Sequence, residues 1–163
     1  DLEMQSKWTA EERAKLVIYH QHIRPLFDCL GVCRLEWIEL SVDENIYADF
    51  YTAVTGVKTK LKKLLERSEA IYNLTRAINI LKGMSREDDY PPERFFRDPV
   101  PTGPLKGKLL QKEEYDNLLD TYYRLRGWSS KGVPTEQTLT RLGLKDVALK
   151  LKKSGKIQDV SLD

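Results

Sequence analysis

The sequence predicts an all-α fold, and three observations lead there. Apolar residues recur three and four positions apart along most of the chain. Helix-start signals and glycine stops bracket those runs. The one long non-helical stretch, Gly83 to Lys108, shows no clean period-two alternation of a strand. The expected architecture is a multihelical single domain over residues 1–163, with five or six helices and one long ordered Pro/Gly-rich loop.

Thr9-Ala10-Glu11-Glu12 reads as a capping box, in which the Thr oxygen takes an orphan amide and Glu12 reaches back. Leu16, His20, Ile23, Phe27 and Leu30 follow on one predicted face, which puts His20 on the apolar side and His22 off it. Pro25 should bend or split this helix, and Gly31 suits a left-handed stop. Ser41-Val42-Asp43-Glu44 reads as a second capping box, with Ile46, Tyr47, Phe50, Tyr51 and Val54 as the stripe and Gly56 as the end. Thr59 is the predicted cap of the longest helix. Its stripe is Leu61, Leu64, Leu65, Ser68, Ile71, Tyr72, Thr75 and Ile78, and it stops at Gly83.

From Gly83 to Lys108 the chain carries five of its seven prolines. Structureless stretches this long are uncommon inside compact domains unless they pack on something. Tyr90, Phe95 and Phe96 are the expected anchors. Helix resumes through Tyr115, Leu118, Leu119 and Tyr122 and ends at Gly127. Thr135 should cap a short helix, and Asp146 a last one that ends at Gly155.

Composition narrows the function classes. With 163 residues, 40% hydrophobic and 32% charged, the chain can bury a real core. A net charge of +2, with both signs interleaved, gives no case for nucleic acid. No apolar run reaches the roughly 20 residues of a membrane span. Two cysteines are not a secreted disulfide framework, so a cytoplasmic setting is the expectation. The chain begins with Asp, which suggests a piece of something longer. Basic residues gather at Lys58, Lys60, Lys62, Lys63 and Arg67, and again at Lys150, Lys152, Lys153 and Lys156. Such clusters are solvated helix faces first, and a docking surface for an acidic partner second.

The segment Phe27–Cys33, "FDCLGVC", holds both cysteines. Four readings stand: a disulfide across a helix end, a zinc site with His20 and His22, two buried inert thiols, or a lone ligand whose partners lie elsewhere. The chain carries no Walker loop, GxGxxG, HExxH or GxSxG pattern, so it has no complete active site of those kinds.

Three collinear segments resemble the C-terminal region of the tungsten-containing aldehyde:ferredoxin oxidoreductase family. "DCLGVC" (residues 28–33) is similar to the family's D-x-x-G-L-C segment. "ERSEAIYNLTRAINILKGMSREDDYPPERF" (66–95) is similar to its long helix and following loop. "DNLLDTYYRLRGWSSKGVPTEQTLTRLGL" (116–144) is similar to its ending. Val32, Leu81 and Ser129 stand where the family often has Leu, Arg and Asp.

The resemblance implies aldehyde oxidation to a carboxylic acid at a tungsten (or molybdenum) bis-pterin, with electrons leaving through a [4Fe–4S] cluster to ferredoxin. Related enzymes reduce aromatic acyl thioesters. By position, Cys33 would be the fourth cluster ligand and Asp28 a pterin ligand, with Gly31 and Val32 lining the pterin. Cys29 would then be a packing residue. The domain would also line part of the substrate channel. The C-x-x-C-x-x-x-C run that supplies the other thiolates is absent, as is the pterin-binding domain. The chain alone is therefore expected to hold no cofactor and to be inactive. Its implied partners are the N-terminal and middle domains of the same enzyme and ferredoxin, in a full-length enzyme open to homo-oligomerisation. The rival from another class is a non-catalytic helical interaction module.

Overall fold

The structure, a computed structural model, describes residues 8–157. Among them are eight α-helices, one 3-10 turn and no strand. The helices are α1 (Ala10–Leu30), α2 (Leu35–Leu40), α3 (Asn45–Thr55), α4 (Leu61–Leu81), α5 (Arg94–Arg97), α6 (Lys112–Arg126), α7 (Glu136–Arg141) and α8 (Lys145–Lys153), with the 3-10 turn at Arg86–Asp89. The all-α class is as predicted. The two helices beyond the expected six are the short α2 and α5.

The first helix begins with the predicted capping box: the Thr9 hydroxyl accepts from the Glu12 amide, and Glu12 accepts from the Thr9 amide. Pro25 does not split it. One missing backbone donor is tolerated because Ile23, Leu26 and Phe27 around it are buried. The buried face differs from the predicted stripe, since Leu16 and His20 are exposed while Ala14 is fully covered. Helix α1 packs against both α4 and α6.

The predicted box at Ser41–Glu44 does not form. Ser41 has a left-handed backbone (φ 50°) and ends α2. Asp43 instead accepts from the Asn45 amide at 2.9 Å, a local turn that starts α3. The missed helix α2 is held by Trp37, whose ring packs 5.6 Å from Phe27 and whose indole N–H donates to Glu44. Thr59 is likewise no cap: its amide donates to the Thr52 hydroxyl, and Lys60 precedes α4 without a side-chain cap. Asp146 lies inside the first turn of α8, where its charge complements the helix N-terminus.

Besides a cluster of Leu119, Tyr123 and Trp128, two packed regions result. One joins Ile23, Leu26 and Phe27 of α1 to Tyr47, Ala48 and Leu64. The other joins Ala77 and Ile80 of α4 to Leu139, Ala148 and Leu151 of α7 and α8. Each large side chain so buried is worth about 1.5–3 kcal/mol. The Tyr47 hydroxyl is the one buried side-chain polar atom without a partner among the described residues.

The second half of α4 departs from the predicted stripe. Ile71 and Ile78 are exposed, and Asn73, Arg76, Ala77 and Ile80 are buried instead. The long loop is structured, as expected, but its anchors are not all those named. Tyr90 and Phe96 each pack against the Tyr115 ring, whereas Phe95 is 53% exposed. Phe95 contributes its backbone, whose carbonyl accepts from the Leu110 amide at 3.1 Å.

Candidate functional site

Helix α1 ends in a left-handed turn at Gly31 (φ 67°). The Val32 amide reaches back to the Phe27 carbonyl at 3.1 Å, and the Gly31 amide to that of Asp28 at 3.4 Å. This double closure reverses the chain within one residue. Val32 then packs onto the domain's own core, and Cys33 emerges exposed. Asp28 and Gly31 are also exposed, so three of the four candidate residues share one open edge. Any contact Val32 makes with a cofactor would come from its backbone, because its side chain is committed inward.

The other readings of the cysteines fare unequally. Cys29 and Cys33 are free, so no disulfide forms. Among the described residues no group of three His, Cys, Asp or Glu is placed to hold a metal ion, which removes the zinc site with His20 and His22. Both thiols are exposed, so neither is buried packing. For Cys29 this corrects the expectation. It lies roughly 110° around the helix from the centre of the Ile23/Leu26/Phe27/Leu30 face. The histidines are reversed as well: His20 is exposed beside Tyr19 and Trp37, and His22 is half-buried. Both thiols are open to a group held mainly by residues outside this chain.

A second constellation, which the periodicity did not flag, lies deeper. Arg76 is 6% exposed and makes a two-pronged pair with Asp89 (2.8 and 2.5 Å). Its Nε–H donates to the Gly132 carbonyl at 2.8 Å, and its guanidinium lies 4.8 Å from the Trp128 ring centre. Asp89 also accepts from the Tyr123 hydroxyl, and its backbone carbonyl from that of Tyr115. Burial, and then this bond to Asp89, raise the Tyr123 phenol well above its ordinary range. Asn73 closes the set by accepting from the Trp128 indole at 2.7 Å.

Beside it, Arg126 stacks 4.2 Å from the Tyr72 ring centre and donates to Gln21. Its other nitrogen meets His22 Nε2 at 2.7 Å, which requires a neutral imidazole accepting at that nitrogen. Burial first, and the Arg126 charge second, pull the His22 pKa down to about 4. A groove of about 320 Å³ opens over these groups, with Gln21, Tyr72 and Tyr122 on its wall and Arg76 and Asp89 at its side.

Known proteins are similar to this chain over most of its length. The profile of "Aldehyde ferredoxin oxidoreductase, domains 2 & 3" matches residues 2–144. The chain belongs to the aldehyde ferredoxin oxidoreductase family. It is 33% identical over 138 residues to a tungsten-containing aldehyde ferredoxin oxidoreductase of Pyrococcus horikoshii, covering 84% of this chain and 22% of that protein. A Pyrococcus furiosus protein of the same name is 32% identical over 136 residues, covering 83% and 22%. An aliphatic sulfonate oxidoreductase, WOR-like subunit, from Pyrococcus furiosus is 32% identical over 111 residues, covering 64% and 18%. Among solved structures, the active-site complex BamBC of benzoyl coenzyme A reductase, in complex with 1,5-dienoyl-CoA, aligns with a TM-score of 0.57 and 34% identity. That alignment covers 68% of this chain and 15% of that one. The chain therefore spans about a fifth of the length of its aldehyde ferredoxin oxidoreductase relatives.

The family segments quoted from the sequence divide between the two constellations. The first forms the open edge. The second and third meet in the Arg76 cluster, which is structural: its polar groups face one another and are satisfied.

Two outcomes test this division. A Cβ on Gly132 would lie 2.4 Å from Arg76 Nη2 and 2.7 Å from the Tyr123 ring, at φ 72°. Gly132→Ala should lower unfolding free energy by at least about 3 kcal/mol, measured by chemical denaturation. Gly143→Ala, equally left-handed but in open space, should lower it by only about 1 kcal/mol.

The second outcome concerns His22. Its folded pKa lies below the unfolded value, so its contribution is present above the ordinary imidazole range and lost as pH falls toward 4. Between pH 7 and 4.5 the native chain should lose on the order of 1–2 kcal/mol more than His22→Gln, allowing for solvent screening at a half-buried site.

Proposed function

We propose that this chain is the C-terminal helical portion of an enzyme that oxidises an aldehyde to a carboxylic acid and passes the electrons to ferredoxin. The observation that carries the reading is the open edge at the end of α1. There, one exposed thiol follows a fixed left-handed turn next to an exposed carboxylate, in a chain of this family.

In this reading Cys33 supplies the fourth thiolate of a [4Fe–4S] cluster whose other ligands lie in the remaining domains. Asp28, with the Gly31 and Val32 backbone, holds one pterin of the tungsten or molybdenum bis-pterin. When bound, that cofactor supplies the two-electron step on the aldehyde carbon. The chain's own share is placement. Gly31 sets the direction of Cys33, and Val32 pins the segment to the core so that thiol and carboxylate keep one spacing. The groove over Gln21, Tyr72 and Tyr122 is suited to line part of the substrate path. The isolated chain would be inactive, and the whole enzyme would work in the cytoplasm.

A second reading has a specific observation behind it. The likeness to the benzoyl coenzyme A reductase complex at 34% identity favours electron flow toward an acyl thioester. The same edge would then feed electrons in rather than draw them off.

The test uses the enzyme with all its domains. Cys33→Ala should remove the [4Fe–4S] signal in electron paramagnetic resonance and cut ferredoxin-linked turnover by at least about tenfold. Cys29→Ala should keep both. A Cys33→Ala enzyme with full cluster signal and turnover would refute the assignment.

A further inference from the structure

The end of the domain that carries Cys33 also carries a dense cluster of positive charge. Lys58, Lys60, Lys62, Lys63 and Arg67 are all exposed, in a ten-residue window with a single acid. That acid, Glu66, is tied to Lys63 at 2.9 Å, and the Lys63 hydrogen bond and charge, helped by Lys62 and Arg67, hold its carboxyl below the ordinary range. The whole chain is only +2, so this excess is local and not a reflection of composition.

The patch is shaped as well as charged. Val54 is 86% and Val57 56% exposed at the turn that leads into it. That turn is fixed by the Thr55 hydroxyl accepting from the Val57 amide at 3.1 Å and by the Thr59 amide donating to Thr52. The two exposed valines precede a shallow depression lined by Lys58, Lys60, Lys62 and Lys63. Its position relative to the proposed electron exit is set by packing. Leu61, Leu64 and Leu65, from the first turns of α4, sit in the same core as Leu30 and Val32, the neighbours of Cys33.

The other basic cluster, on and after α8, has Lys152 paired with Glu136 at 2.7 Å and packs in the Ala148/Leu151 core, not in the one that holds Leu30 and Val32.

We propose that the basic turn Lys58–Arg67, together with the exposed Val54 and Val57 that lead into it, is the docking surface for a small acidic one-electron-carrier protein. The inference rests on the reading of the chain as part of an electron-donating oxidoreductase. A transient carrier has to arrive fast, orient, and leave. A few apolar atoms beside a charged patch suit that, because long-range charge raises the encounter rate without building a tight interface. The electrons are those of the aldehyde oxidation, two per turnover, so two carrier molecules are each reduced once.

The experiment uses the complete enzyme, a purified acidic ferredoxin as probe, and the variant Lys58→Glu/Lys60→Glu/Lys62→Glu/Lys63→Glu. Binding is read by calorimetry and turnover by steady-state kinetics, each from low to physiological salt. For the native enzyme, affinity should fall by about tenfold or more over that range. In the variant, the KM for ferredoxin should rise at least about tenfold at low salt, with its salt dependence flattened or inverted. Turnover with a small dye acceptor and the cluster signal should stay unchanged.

A ferredoxin affinity that the four substitutions leave unmoved would overturn the proposal. So would loss of the cluster signal or of dye-linked turnover in the variant, which would make this face an internal contact with the rest of the enzyme. An enzyme that oxidises no aldehyde with any acceptor, yet still binds ferredoxin through these lysines, would retain the docking surface and remove the proposed reaction.

Discussion

The buried pair of Arg76 and Asp89 organises this domain. A guanidinium withdrawn from water carries a desolvation penalty of several kcal/mol, repaid only when every donor is met. Here the carboxylate takes two donors, the Gly132 carbonyl takes a third, and the Trp128 ring covers the flat face. Each partner comes from a different part of the sequence. The pair therefore binds α4, the loop after it and the turn after α6 into one unit. It also explains how so proline-rich a loop stays ordered: Asp89 and the Tyr90 hydroxyl, which donates to Asp116, hold what aromatic burial alone would not.

The unit then fixes the open edge at the far end of α1. That helix packs against α4 on one side and α6 on another. The Ser68 hydroxyl donates to the His22 carbonyl, and Gln21 accepts from both Tyr122 and Arg126. The turn at Gly31 thus leaves a helix clamped along its length. Thiol, carboxylate and basic turn share one end of the molecule, while the polar cluster sits in the middle as support.

Helix class, the α1 capping box and the glycine stops at Gly31, Gly56 and Gly127 were legible in the sequence, because capping and left-handed turns are local chemistry. What was lost was tertiary. Asn73 and Arg76 read as polar helix positions and so fell off the predicted stripe, yet they face the core because Trp128 and Asp89 arrive from more than ten residues away. Short α2 has too few residues for a period, and its hold on the fold runs through Trp37. His20 and His22 exchange roles because the buried face of α1 runs through Ala14 and not through Leu16. At the edge, Asp28 and Cys33 were legible only through the family segment, since exposure alone marks no ligand. A signal for the Arg76 cluster was present in the second and third family segments, whose polar residues had no surface role to explain them.

Under the proposed assignment the exposed Asp28–Cys33 edge is covered in the whole enzyme, whereas the Arg76 cluster is complete within this chain. Hydrogen–deuterium exchange, compared between the isolated chain and the enzyme carrying all its domains, separates the two. The expected result is strong protection of the Arg76, Asp89 and Trp128 segments in both, with residues 28–34 fast in the isolated chain and slow in the whole enzyme. Equal exchange of residues 28–34 in the two forms would contradict it.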